Sequence, residues 1–99
     1  MLLVLIAVLL AEEVLAPPPK PTLKVTLAWD APAESVDGYN VYMLDDLQAQ
    51  LRVFDAGTNL MLTIINLSRN TQYYFAATAC RGGLESEYSN EVGYKTPRK

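Results

Sequence analysis

Residues 22–32 read TLKVTLAWDAP, and the reading of this stretch decides the fold. Leu23, Val25, Leu27 and Trp29 alternate with Thr22, Lys24, Thr26 and Ala28. A period of two places one set on a buried face and the other on an outer face, as in a half-buried strand. Asp30, Ala31 and Pro32 end the run, because proline cannot donate to a ladder and aspartate favours turns.

The same grammar continues downstream. Residues 33–37 form a polar loop and Gly38 opens a second run, with Tyr39, Val41 and Met43 on one face and Asn40 and Tyr42 on the other. Asp45 and Asp46 mark a turn. Leu51, Val53 and Phe54 lie in a short strand that residues 55–59 stop, and residues 60–67 form the next, with Leu62 and Ile64 inward. Ser68, Arg69 and Asn70 turn the chain into a strand carrying Tyr73, Phe75, Ala77 and Ala79 on its inner face. Arg81, Gly82 and Gly83 start a polar hairpin loop, and residues 88–94 form the last strand. No 3.6-residue period appears after residue 21. Short period-two strands with frequent turn signals predict an all-β antiparallel sandwich.

Upstream, residues 1–11 read MLLVLIAVLLA, an unbroken apolar run. It is shorter than the roughly 20 residues that span a bilayer and fits the apolar core of an export signal. Residues 1–16 are therefore expected to be a signal peptide or a hydrophobic anchoring or assembly helix. Cleavage after Ala16 puts Pro17 behind the cut, and cleavage after Ala11 is the alternative. Residues 17–21 hold four prolines in five positions, which favours extended polyproline geometry and makes a stiff spacer. Residues 22–97 are the folded domain and residues 98–99 a basic tail.

Length and charge limit the function. A chain of 99 residues holds one domain. It has 11 acidic and 8 basic residues, and residues 1–16 hold only Glu12 and Glu13, so the remainder is almost balanced. Such a surface has no pull on a phosphate backbone, which argues against nucleic-acid partners. The chain has no histidine, and so lacks the commonest general base and metal ligand. Cys80 is the single cysteine; it has no intrachain disulfide and reads as a small side chain near a strand end.

No catalytic constellation emerges. Asp45 and Asp46 are adjacent, and consecutive side chains in extended chain diverge, so they read as a solvated turn rather than a carboxylate pair. Asp30, Glu34 and Asp37 flank one loop without the spacing of a calcium site. Glycines at 82 and 83 serve turn geometry. No catalytic, cofactor-binding or metal-binding residue is assigned, and no cofactor is expected. Tyr42 and Tyr74 fall on outward positions, where tyrosine is both a good strand former and a good contact residue.

Four spaced motifs, VTLAWDAP (25–32), GYNVY (38–42), LSRNTQYYFAATA (67–79) and SEYSNEV (86–92), together resemble a fibronectin type III domain, over nearly all of residues 22–97. The resemblance implies an immunoglobulin-like sandwich with Trp29, Tyr39, Val41, Leu67, Tyr73 and Phe75 as its structural core. It also implies a corner formed by Leu67, Thr71 and Tyr73, in which the Tyr73 hydroxyl bonds to upstream backbone. Arg69 stands where the family usually has proline. The short exported segment and the last motif resemble bacterial and phage members. The family's first strand has no obvious counterpart, so it is missing, very short, or replaced by residues 14–21.

These readings predict a non-catalytic, secreted or extracytoplasmic module that binds protein or glycan or acts as a spacer. The alternative is a structural subunit of a phage virion or extracellular filament, assembled through the N-terminal helix and a free sheet edge. Membrane contact is expected only through residues 1–16, if they are retained. Candidate interaction residues are Lys24, Thr26 and Ala28 on the Trp-strand edge, Tyr42 and Tyr74 on sheet faces, and Arg81 in the hairpin loop.

Overall fold

Each apolar alternation becomes a strand that faces its partner sheet across one core. The computed structural model describes residues 7–10, 23–47 and 49–98, and everything said of the structure concerns those residues. Eight strands follow in order: β1 (Ala7–Leu10), β2 (Val25–Trp29), β3 (Gly38–Asp45), β4 (Leu51–Gly57), β5 (Met61–Ile64), β6 (Gln72–Arg81), β7 (Leu84–Glu85) and β8 (Val92–Lys95). They form two antiparallel sheets, one ordered β1-β2-β5 and the other β4-β3-β6-β7, with β8 also paired to β6.

The core is what the period of two selects. Leu23, Val25, Leu27 and Trp29 are buried from the smaller sheet. Tyr39, Val41 and Met43 of β3 and Tyr73, Phe75, Ala77 and Ala79 of β6 are buried from the larger one. Leu67 completes the six expected core residues, all buried. Trp29 and Tyr39 meet across the layers, ring centroids 5.6 Å apart and tilted by 58°. Burying a large apolar side chain stabilises by about 1.5–3 kcal/mol, so this face dominates the fold.

The tyrosine corner forms as the resemblance implied. Tyr73 Oη accepts the Ser68 backbone N–H at 2.8 Å. The Leu67 N–H donates to the Leu23 carbonyl at 3.1 Å, tying the corner to the chain entering β2. Buried Thr96 locks it from the other side: its hydroxyl donates to the Ser68 carbonyl at 2.6 Å and accepts the Thr71 N–H at 2.9 Å.

The structure corrects several sequence expectations. A first strand does exist, and it comes from the apolar run. Ala7–Leu10 pairs antiparallel with β2, register Ala7↔Trp29 to Leu10↔Thr26. The helix expected over residues 1–16 is thus a strand at its four described positions, and the Trp-strand edge expected to be free is occupied. The rest of residues 1–16, and the proline spacer, lie outside the described residues. A continuous apolar run has no period, so it reads alike as helix or strand; here the open backbone groups of β2 select the strand.

Other corrections are local. The strand expected over 60–67 is only Met61–Ile64, since the chain then turns into the corner. The final strand expected over 88–94 is only Val92–Lys95, and a two-residue strand, β7, forms at Leu84–Glu85, just after the expected hairpin loop. Between them Ser86 and Ser89 hold the chain to β6, their hydroxyls accepting the Ala79 and Ala77 N–H groups, both at 2.9 Å. Asp45 is not solvated: it is buried at the end of β3, while Asp46 is exposed and accepts the Gln72 N–H at 3.2 Å.

Candidate interaction surface

The outer face of the larger sheet collects apolar side chains from four separate parts of the chain. In β3, Tyr42 and Leu44 occupy the parity opposite to the buried Val41 and Met43. Register sets Leu44 beside Leu51 of β4 and Tyr74 of β6, and Tyr42 beside Val53 and Ala76. Tyr74 in turn lies opposite Gly93 of β8. Leu44, Leu51, Val53 and Tyr88 are 38%, 56%, 55% and 60% exposed. A sheet face needed only for solubility would carry polar side chains there.

Small residues shape this face. Ala76 floors a groove of about 220 Å³ lined by Tyr42, Leu44, Leu51, Tyr74, Tyr88 and Glu91. Gly93 leaves room beside it: a Cβ there would meet Gln72 Nε2 at 3.1 Å and the Tyr74 ring at 3.7 Å. Tyr88 packs edge-on against Tyr42, centroids 5.0 Å apart at 88°, a preferred aromatic geometry.

One margin is acidic and firmly built. The Glu85 carboxylate accepts the Tyr42 and Thr78 hydroxyls, the latter at 2.6 Å. Those two bonds hold the Glu85 carboxyl below its ordinary pKa, Thr78 contributing most. Donation to Glu85, with partial burial second, pushes the Tyr42 phenol up to about 12. Next to this group, Asn40 Nδ2 donates to Cys80 Sγ at 3.3 Å, and burial raises the Cys80 thiol pKa, with Glu85, Asp55 and Asp37 adding to it. A thiol shifted upward is less ionised near neutral pH, and the bonds among Asn40, Cys80, Tyr42, Thr78 and Glu85 orient these side chains.

The sequence-derived candidates divide between places. Tyr42 and Tyr74 share the outer face just described. Lys24 immediately precedes β2, and Thr26 and Ala28 belong to the other sheet, between β1 and β5, opposite Leu10 and Thr63 and opposite Val8 and Met61; the Thr26 and Thr63 hydroxyls bond at 2.9 Å. Arg81 stands at the β6–β7 turn, 3.7 Å from Glu34. Asp37 accepts the Gly82 N–H at 2.8 Å, so the loop carboxylates brace this hairpin. Leu44, Leu51, Val53, Tyr88 and Glu85 were not among the candidates. Leu44 carried a legible signal, being apolar on the same parity as Tyr42; the others needed the strand order.

Comparison with solved structures places the arrangement. A structure described as a myokine aligns over 76% of this chain and 83% of its own, TM-score 0.66, at 23% identity. The chicken CNTN1 FN1-FN3 domains align over 95% of this chain and 31% of theirs, TM-score 0.77, at 15% identity. The fold is that of a fibronectin type III domain. A redesigned β-sandwich protein matches 98% of this chain and 97% of its own, TM-score 0.76, at 18% identity. The sequence itself matches no family model and no curated protein. At these identities the fibronectin type III likeness speaks for the fold, and function has to be read from the surface.

Proposed function

We propose that this chain is a non-catalytic protein-binding module, working outside the cytoplasm, that meets its partner through the outer face of the larger sheet. The observation that carries this reading is the gathering of Leu44, Leu51 and Tyr88 in exposed positions around one groove, with exposed Val53 paired beside Tyr42. Contiguous exposed apolar surface marks contact sites, and aromatic residues are enriched at interface centres. Leu44, Leu51 and Val53 offer no hydrogen bonds to sugar hydroxyls, which favours protein over glycan. Glu85 and Glu91 at the margin suit a partner with an apolar centre and Lys or Arg beside it.

Site-directed photo-cross-linking tests the face. A photoreactive residue at position 51 should capture a partner in an extract of the producing organism, whereas one at exposed Thr63, on the other sheet, should not. Leu44→Lys should sharply reduce capture at position 51. Equal capture at both positions, or capture indifferent to Leu44→Lys, would remove the proposal. The extracytoplasmic location is supported by the apolar run and is tested by fractionating the producing cells.

A second reading has its own support. Ala7–Leu10 serves as β1 of the sandwich, and cleavage after Ala11 or Ala16 would strip that strand away. This favours a chain that keeps residues 7–10, as a structural subunit of a virion or filament would. Mass analysis of the mature N-terminus separates the two: loss of residues 1–11 or 1–16 supports export with processing, and retention supports the subunit.

A further inference from the structure

Two rows of side chains cross the strands of the larger sheet on its outer face. Register puts Leu51, Leu44, Tyr74 and Gly93 in one row and Val53, Tyr42 and Ala76 in the next. Rows two residues apart along a strand are separated by about 6.7 Å, at roughly 3.3–3.4 Å per residue. The groove lies between them, with Ala76 as its floor and Tyr88 set against Tyr42 on its wall. Gly93 leaves the flank of the Tyr74 ring open, since a Cβ there would stand 3.7 Å from that ring.

This shape limits what can lie in it. β3 is paired on both sides, with β4 and β6, so no backbone ladder is open here to an added strand. A helix is about 10–12 Å across, wider than the spacing of the rows, and would ride over them. A polyproline chain advances about 9.3 Å in a turn of three residues, close to the roughly 9.6 Å between alternate strands. Rings three residues apart therefore meet equivalent places along the groove. The carbonyls of such a chain make no internal hydrogen bonds. Tyr74 and Tyr88 bring hydroxyl donors to them, the Tyr42 hydroxyl being given to Glu85. Grooves lined by aromatic side chains suit proline-rich segments for these reasons.

Charge adds an independent argument. The side of the groove along Tyr42 is acidic, with Glu85 bonded to that tyrosine and Glu91 in the lining. The side along Tyr74 carries Lys95, opposite Gln72. Residues three apart share one side of a polyproline helix, so basic residues at that spacing all turn towards the two glutamates. We propose that the groove receives an extended proline-rich segment of a partner protein, with its Lys or Arg side chains towards Glu85 and Glu91. The inference rests on the protein-binding reading of this face and names the class of partner.

The test titrates the full-length chain with a labelled peptide of four Pro-Pro-Lys repeats, against a peptide of four Ala-Ala-Lys repeats of the same charge. The proline peptide should bind saturably and the alanine peptide far more weakly. Tyr74→Ala and Tyr88→Ala should each weaken the proline peptide about tenfold, the loss expected of an aromatic contact at an interface centre. Glu91→Lys should weaken it too and flatten its salt dependence. Equal binding of the two peptides, or binding indifferent to Tyr88→Ala, would overturn the proposal, because charge alone would then account for it. Binding that appears only after residues 17–21 are replaced by Gly and Ser would also overturn it, because the chain's own prolines would then be the occupant. The photo-cross-link at position 51 separates this inference from the broader reading. Capture of a partner undiminished by excess proline peptide would overturn the peptide class and leave the face. No capture together with no peptide binding would remove both.

Discussion

Tyr73 and Ser68 are joined by a hydrogen bond of 2.8 Å in which backbone donates to side chain. The bond closes the loop between β5 and β6 and gives a partner to an N–H that no ladder reaches. Tyr73→Phe keeps the buried ring beside Phe75, 6.2 Å away between centroids, and removes only the acceptor. Loss of one such partner should cost about 1–3 kcal/mol. The urea midpoint should fall with the slope unchanged; an unmoved midpoint would show that the corner bond does not contribute.

Trp29→Ala addresses the core itself. Trp29 is 3% exposed and packs on Tyr39. Truncation of a buried tryptophan costs about 3–5 kcal/mol, out of the roughly 5–15 kcal/mol that holds a small domain. Chemical denaturation should show a variant close to unfolding at room temperature. A loss under about 1 kcal/mol would contradict the packing described.

Tyr42 and Glu85 predict a pH dependence with a definite sign. The Tyr42 phenol is raised to about 12 from an ordinary value near 10. Its contribution to stability is therefore full below about pH 10 and lost as pH rises through about 12. Glu85 is lowered, so its contribution is present above the ordinary carboxylate range and lost as pH falls through its depressed value. Ultraviolet titration of Glu85→Gln should show one tyrosine ionising at lower pH than in the unsubstituted protein. Superimposable titration curves would refute the coupling.

Gly57 closes β4 at a φ of 59°, and its carbonyl lies 3.1 Å from where a Cβ on Gly38 would stand. The left-handed region disfavours side chains with a Cβ by roughly 1–2 kcal/mol. Gly57→Ala should cost about that much in thermal or urea unfolding, and Gly57→Asn less, because asparagine tolerates this conformation. Equal stability for glycine and alanine would show that the turn can relax.

The alternations at 23–29, 39–43 and 73–79 identified the inner face correctly, because the direction of a side chain along a strand is a local property of the pleat. The tyrosine corner was legible through the resemblance to fibronectin type III domains, whose motif places Leu67, Thr71 and Tyr73 within one short stretch. The face formed by Leu44, Leu51, Tyr74 and Tyr88 was not, since register between distant strands is what brings those residues together. Asp45 shows the same limit, for adjacent aspartates read as a solvated turn until the end of β3 carries one inward. β1 is the clearest case. An unbroken apolar run carries no period, and its local chemistry serves a helix, an export signal and a strand equally. The open row of N–H and C=O groups along β2 decided between them, and that row exists only once the sheet has formed.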